Sequence, residues 1–469
     1  MVDLAYMSLT EAADRIRRRD LSPVELTTAV LKRIEEVEPR INAYITVTAE
    51  EALAAARTAE TEIAGGRYRG PLHGIPVAVK DVVCTAGVRT TAGSRVLRDF
   101  VPNTDAAVVV RLREAGAVIV GKTNTHEFAA GITTNNPFFG PTRNPWNVDC
   151  IPGGSSGGSG AALAAGLCTV AIGTDTGGSI RIPAACCGVV GLKPTYGRVS
   201  RQGIFPLAWS QDHCGPMARS VADAALLLQV IAGYDPADPG SANVPVPDFS
   251  AELSAGVSDI TIGLPRHWYF ERVDPEVAEA VYRAVRILAE MGARVMEVDL
   301  PALRDVMPAQ YVVCMAEAAA WHVPFLRSQP EHYSPALRGT LEGSLLISAV
   351  QYLDGLRIRA RIAAEMEQAL GQVDVLAAPT IPLPAPPIGQ EQVNVAGQPE
   401  PVLDAFVRLN APANQSGLPA ISIPCGFSRG GLPIGLQIIG RPFDESTVIR
   451  VAHAYEQVAG WHRRPPPLV

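Results

Sequence analysis

The chain has 469 residues, 47% of them hydrophobic and 19% charged, with a mean hydropathy of +0.14 and a formal net charge of −7. That length supports a large core, in one large fold or in two to three domains. The balance excludes a disordered chain, and the lack of a long basic run excludes one that coats nucleic acid.

Met1-Val2-Asp3-Leu4 opens without a basic stretch followed by an apolar one, so no secretory signal is read. No apolar run reaches the ~18 residues of a membrane helix, and a cytoplasmic protein with no membrane partner is expected. The eight cysteines (Cys84, Cys150, Cys168, Cys186, Cys187, Cys214, Cys314 and Cys425) form no C-x-x-C pair. Their apolar settings are those of reduced, buried thiols rather than a disulfide framework or a zinc site.

Residues 1–65 read as a helical scaffold. Ser8-Leu9-Thr10-Glu11 and Ser22-Pro23-Val24-Glu25 both fit the capping box, Leu26, Val30, Leu31 and Ile34 recur at helical spacing, and an alanine-rich helix from Glu50 to Ile63 ends at Gly65-Gly66. From 66 to 235 the style changes. Ile75 to Asp81 and Ala117 to Val120 are β-branched strands, a helix runs from about Ala106 to Ala115, and the sheet is expected to continue through Thr169 to Ile172. Two proline-rich stretches, Tyr234 to Pro247 and Pro379 to Pro399, read as surface loops.

Between them, 236–372 is a variable, mostly helical segment expected to line the substrate pocket. It has a strand at Ile260 to Leu264 and helices near Pro275 to Met291, Ala309 to His322 and Arg357 to Leu370. Residues 373–469 supply two apolar strands, Ala420 to Pro424 and Ile434 to Ile439, that return to the first sheet. The fold class expected is α/β, a single large fold with a mixed β-sheet covered by helices on both faces.

The chemistry concentrates between Gly153 and Pro183. Gly-Gly-Ser-Ser-Gly-Gly-Ser at 153–159 and Gly-Thr-Asp-Thr-Gly-Gly-Ser-Ile-Arg at 173–181 bring hydroxyls and bare N–H groups to either side of a small-residue segment. That composition suits attack on a carbonyl.

Three other readings fail. Gly116 to Thr123 matches the G-x-x-x-x-G-K-[ST] string, but its intervening residues are a strand and not a phosphate-cradling loop. Gly153 to Gly157 satisfies G-x-S-x-G, yet Pro152 ends a preceding segment too short to be the elbow's strand. A flexible linker would sit in a polar tract, and a patterned apolar helix follows instead.

A serine hydroxyl attacks an amide only when a base removes its proton, and none of the eight histidines neighbours a carboxylate in a triad-like pattern. Lys80 is the candidate base. Strand alternation sends Lys80 and Asp81 to opposite faces, so Asp81 need not hold the ammonium charged. Burial would have to lower the lysine pKa by about 3 units from about 10.4.

Lys80 in Val-Ala-Val-Lys-Asp, 75 residues before Ser155, with Ser155 24 residues before Ser179, closely resembles the amidase signature family in motif and order. The resemblance extends through Phe139 to Pro145, Gly191 to Gly197 and Gly417 to Ser422, and is weakest between about 240 and 400. It implies that Ser179 is the nucleophile, that Ser155 is a bridging serine after a cis peptide bond, and that Lys80 takes the proton through Ser155. It implies an oxyanion hole of N–H groups from Thr176, Gly177, Gly178 and Ser179, with Ser156 supporting the network.

Asp175 and Arg181 flank that loop and are expected to pair and hold it, the competing reading being a plain surface ion pair. The resemblance further implies an acid and an amine or ammonia as products, by way of an acyl-enzyme, with no metal and no cofactor expected.

The family holds both stand-alone amidases of small-molecule substrates and the A subunit of glutamine-dependent tRNA amidotransferases. Members that use glutamine place an acid shortly before a Pro-x-Asn stretch to bind its amino group. That stretch aligns at Pro412-Ala413-Asn414 and the acid at Val407, so a stand-alone amidase is the main expectation and the A subunit the alternative. Arg359 falls near the arginine such members use for the carboxylate. Ala130, Gly131, Phe205, Trp209 and Tyr311 are further expected pocket residues, and a homodimer is the default assembly.

Overall fold

The computed structural model describes residues 4–467. Residues 1–3, on which the N-terminal targeting reading rests in part, lie outside the described residues. Among those described, no helix is long and apolar enough to cross a membrane.

The strands, in chain order, are β1 (Tyr44–Val47), β2 (Pro76–Lys80), β3 (Val118–Thr123), β4 (Asn135–Asn136), β5 (Gly140–Pro141), β6 (Val170–Asp175), β7 (Val190–Lys193) and β8 (His213–Ala218). They continue with β9 (Thr261–Pro265), β10 (Arg294–Val298), β11 (Val375–Pro379), β12 (Gln392–Val395), β13 (Gln398–Pro401), β14 (Ala420–Phe427) and β15 (Pro433–Gly440).

Eleven of them make one mixed sheet, ordered β1-β3-β2-β6-β8-β7-β14-β15-β11-β9-β10. β2 lies parallel to both β3 and β6, and β9 parallel to both β10 and β11, with antiparallel pairings between those two groups. All four sequence segments feed this one sheet. The α/β architecture with helices on both faces is as expected.

The faces are set by alternation along the strands. Val77 and Val79 join one hydrophobic cluster and Ala78 the other, as do Val170 and Ile172 against Ala171. The second cluster takes the helices Pro23–Ile41, Ala49–Ala64 and Gly157–Ala164. Helix boundaries follow their caps: Ser22 makes a complete capping box with Glu25, whereas at Ser8 only the half from Glu11 N–H to the serine hydroxyl forms.

Three features depart from the sequence reading. The N-terminal scaffold also contains β1, which pairs antiparallel with β3. β10, exposed from Arg294 to Glu297 although Val295 and Met296 are apolar, is a strand that the sequence reading did not place. Pro379 to Pro399 is not simply a surface loop: Ile381, Pro382, Ala385 and Pro386 are buried, and a β12–β13 hairpin begins at Gln392. The prolines are drawn inward because their carbonyls are needed, Pro386 O accepting from Ile151 N–H and Pro382 O from Asp274 N–H. The eight cysteines are unpaired, seven buried and Cys84 partly so.

The helix Gly157–Ala164 can reach the sheet only because its first turn is bare. A Cβ on Gly158 would lie 2.4 Å from Asn124 O and 2.5 Å from Ala43 O, both backbone atoms. Gly158→Ala should therefore cost about 2 kcal/mol or more, as an overpacked core position does. Urea unfolding of the variant measures this, and a loss under about 0.5 kcal/mol would show that the backbone yields easily there.

Candidate active site

Lys80 is the last residue of β2 and is fully buried. Its Nζ donates to Ser155 Oγ at 2.7 Å and to Thr174 Oγ1 at 2.7 Å. No carboxylate lies within ion-pair distance of it among the described residues. Burial pushes the amine down to about 7, with the more distant Asp175 and Asp212 charges opposing the shift.

The alternation argument is realised. Asp81, next along the chain, accepts instead from Thr91 N–H at 2.8 Å and sits 3.7 Å from Lys122, whose amine also donates to Thr90 Oγ1 at 2.7 Å.

The Gly154–Ser155 peptide bond is cis. Around it the loop is fastened by Thr134, whose Oγ1 donates to Gly153 O at 2.9 Å and accepts from Gly157 N–H at 3.1 Å. Ser156 joins the two glycine loops. Its Oγ donates to Thr174 O at 3.1 Å and accepts from Thr174 N–H at 3.2 Å, while its own N–H donates to Ser179 O at 3.2 Å.

Asp175 and Arg181 are not a surface pair. Both are fully buried, with Nη2 to Oδ1 at 2.9 Å and Nε to Oδ2 at 3.1 Å. Arg181 also donates to Asn414 Oδ1 at 2.6 Å, to Asn410 O at 3.1 Å and to Gln437 Oε1. Burial works against the Asp175 charge, but Arg181 overrides it and holds the carboxyl far below the usual range. Asp175 in turn accepts from Gly178 N–H at 2.8 Å, Ile180 N–H at 3.1 Å and Asn414 Nδ2 at 2.8 Å, which fixes the turn carrying Ser179.

That turn leaves donors free. The N–H groups of Thr176, Gly177 and Ser179 have no acceptor among the described residues, whereas the Gly178 N–H, expected to be a fourth, is occupied by Asp175. Gly178 has a φ of +121°, which a glycine adopts readily and other residues do not.

Ser179, 5% exposed, opens on a cavity of about 240 Å³ together with Thr176 and Gly177. Its wall includes the expected Ala130, Gly131 and Tyr311, and also His126, Gln310, Leu337 and Val407. No lysine or arginine lines it. Glu127 does, but its carboxylate accepts from Ser94 Oγ at 2.7 Å and from Ser334 N–H at 3.2 Å. Val407 stands over the turn carrying Ser179, 3.4 Å from where a Gly177 Cβ would be.

Phe205 and Trp209 belong to a second, adjoining cavity of about 390 Å³, which shares Ala129, Thr176 and Leu207 with the first. Arg359 lines neither cavity. Its guanidinium donates to Gln415 O at 2.8 Å, Ser210 Oγ at 2.8 Å and Ser210 O at 2.6 Å, so it braces the helix Ala349–Leu370 and is withdrawn from the expected substrate contacts.

A family model described as Amidase matches residues 25–449. The chain belongs to the amidase family. Among similar proteins, the A subunit of the glutamyl-tRNA(Gln) amidotransferase of Moorella thermoacetica is 45% identical, the match covering all of this chain and 99% of that one. The corresponding protein of Thermotoga maritima superposes with a TM-score of 0.84 at 35% identity, covering 100% of this chain and 99% of the other. A bacterial aryl acylamidase of the amidase signature enzymes superposes with a TM-score of 0.91 at 29% identity, covering 98% and 99%.

Thr174, Thr134 and Asn414 are the members of this amidase's site that sequence reasoning missed. Thr174 stands inside the second glycine motif, where position alone could have suggested it. Thr134 and Asn414 act through contacts 23 and 239 residues away along the chain, which no local pattern reveals.

Arg181→Met would leave Asp175 charged and buried without its partner, so it should cost about 3–5 kcal/mol. Chemical denaturation of the variant against the parent gives the number. A loss below about 1 kcal/mol would return the pair to the status of a surface contact.

Proposed function

We propose that this amidase hydrolyses a carboxylic amide with an apolar acyl part through a Lys80–Ser155–Ser179 relay. The observation that carries the reading is the buried Lys80 amine, 2.7 Å from Ser155 Oγ and free of any carboxylate. A neutral lysine is an acceptor. Ser179 attacks the amide carbon, its proton passes by way of Ser155 to Lys80, and the same path returns it to the departing nitrogen. Water then releases the acid from the acyl-serine.

The N–H groups of Thr176, Gly177 and Ser179 stabilise the tetrahedral oxyanion, a contribution of ~3 kcal/mol for a single well-placed donor. Gly178 serves by holding the turn to Asp175. Ser156, Asp175 and Arg181 keep both loops in register.

The acyl part is assigned from the cavity wall. Glutamine brings an ammonium and a carboxylate, whereas this wall has Val407 where an acid is expected, a Glu127 carboxylate already held by Ser94 and Ser334, and no lysine or arginine. The second reading, a glutamine-hydrolysing A subunit of a tRNA-dependent amidotransferase, is favoured by the relatives at 43–45% identity over essentially the whole chain. Ammonia release by the purified protein separates the two. The first reading expects a higher kcat/KM for a simple aliphatic or aryl amide than for glutamine, and the reverse order supports the second.

Two variants and a pH profile test the relay. A fluorophosphonate probe should label the parent and not Ser179→Ala. Lys80→Ala should lower kcat by about 10²-fold or more while its fold is retained by circular dichroism.

Because Lys80 must be neutral, kcat/KM should rise through about pH 7 to a plateau. Asp212→Asn, which removes a charge that favours the ammonium, should move that limb to lower pH. A profile flat from acid to neutral contradicts the assignment.

A further inference from the structure

The second cavity has chemistry that the relay does not use. It meets the first at Thr176 and Leu207, and its wall reaches Thr174, the hydroxyl that shares the Lys80 amine with Ser155. It therefore adjoins the Lys80–Thr174 contact, while Ser179 opens on the first cavity.

Two groups in its wall are set up to accept hydrogen bonds. His213 is 3% exposed, and its Nδ1 lies 2.6 Å from Gln211 O and 3.2 Å from Asp175 O, so Nδ1 carries the proton. Burial keeps the ring neutral. That leaves Nε2 as a bare acceptor, buried and without a partner.

Asp212 is the second. Its carboxylate orients the Thr176 hydroxyl at 2.6 Å and the Leu207 N–H at 2.9 Å, and it adds a negative charge to the wall. Arg201, the cation of this cavity, is paired with a second carboxylate, Asp238, so the wall keeps an excess of negative charge. Its Nε and Nη2 bind Asp238 at 3.0 and 2.7 Å, and its Nη1 binds Tyr196 Oη at 2.8 Å. Phe205, Ile204 and the 45%-exposed Trp209 supply flat apolar surface beside these acceptors.

We propose that this second cavity is the subsite for the amine half of the substrate, and that it takes a cationic, N–H-rich group borne on a flat apolar body. The inference rests on the hydrolase reading above and adds the class of amine to it. Asp212 attracts the cation, the unpartnered His213 Nε2 accepts an N–H, and Phe205 and Trp209 cover the apolar part. A neutral amine half of the same shape would leave the Asp212 charge and the imidazole nitrogen unmatched.

The test is binding without turnover. Full-length Ser179→Ala protein is titrated calorimetrically near neutral pH with benzylamine, a cation there, and with benzyl alcohol, its neutral counterpart. Benzylamine should bind about tenfold or more tightly, the worth of a hydrogen bond to a charged group. Adding Asp212→Asn should cut that preference to about threefold or less.

Equal affinities in the Ser179→Ala protein, or a preference that survives Asp212→Asn, overturn the proposal. Should the Asp212 variant fail to fold, Trp209→Ala at the exposed rim must weaken both ligands, and unchanged affinities overturn it equally. Fluorophosphonate labelling of the parent reports on the hydrolase reading alone. Labelling without amine preference sinks this inference, and no labelling sinks the reading beneath it.

Discussion

An amine held where a charge is costly is the constraint from which the site follows. Water stabilises an ammonium strongly, and a fully buried lysine that finds no carboxylate gives up its proton near neutrality rather than carry the charge. The surroundings keep Lys80 in that condition. The nearest carboxylate charges, Asp175 and Asp212, lie beyond ion-pair distance of it, and Asp81, next along the chain, faces Thr91 and Lys122 instead. What remains within reach of the amine is a pair of hydroxyls, which accept a hydrogen bond without fixing a charge.

Similar pairings build the rest of the site. Because Asp175 is held by Arg181, it can hold the Gly178 and Ile180 N–H groups, and the turn between them presents its other N–H groups to the cavity. The guanidinium that makes this possible is anchored on β15 through Gln437 and on the helix Ala411–Gln415 through Asn414. The C-terminal strands thereby stiffen a loop more than 200 residues earlier. The small residues of the first glycine loop have a complementary role: with no Cβ at Gly157 and Gly158, the Ser155 segment packs directly against Thr134 and the Asn124 carbonyl.

Much of this was legible in the sequence, for reasons that can be named. Strand period two separated Lys80 from Asp81, capping residues located the first helices, and glycine-serine motifs with a lysine upstream marked the candidate site. What was hidden depends on distant chain or on exposed edges. β10 is exposed from Arg294 to Glu297, with Val295 and Met296 adjacent, so it shows no inside–outside alternation, and the proline-rich segment after Pro379 is partly buried, with carbonyls that accept from Ile151 and Asp274. Arg359 looked like a ligand for a carboxylate but serves two backbone carbonyls and a serine hydroxyl. The turn likewise engaged one of the four N–H groups that the motif suggested were free, since a carboxylate three residues upstream was a better acceptor than an empty site.

The mechanism stands on the charge state of one side chain, and that state can be observed without substrate. Selective ¹³C labelling of lysine methylenes, with Lys80→Met used to assign the signal, lets the Lys80 Cε resonance be followed through a pH titration. A midpoint near 7 is the expected result. A midpoint at the ordinary lysine value of about 10.4 would mean that the buried amine stays charged through neutrality, and the relay would have no acceptor.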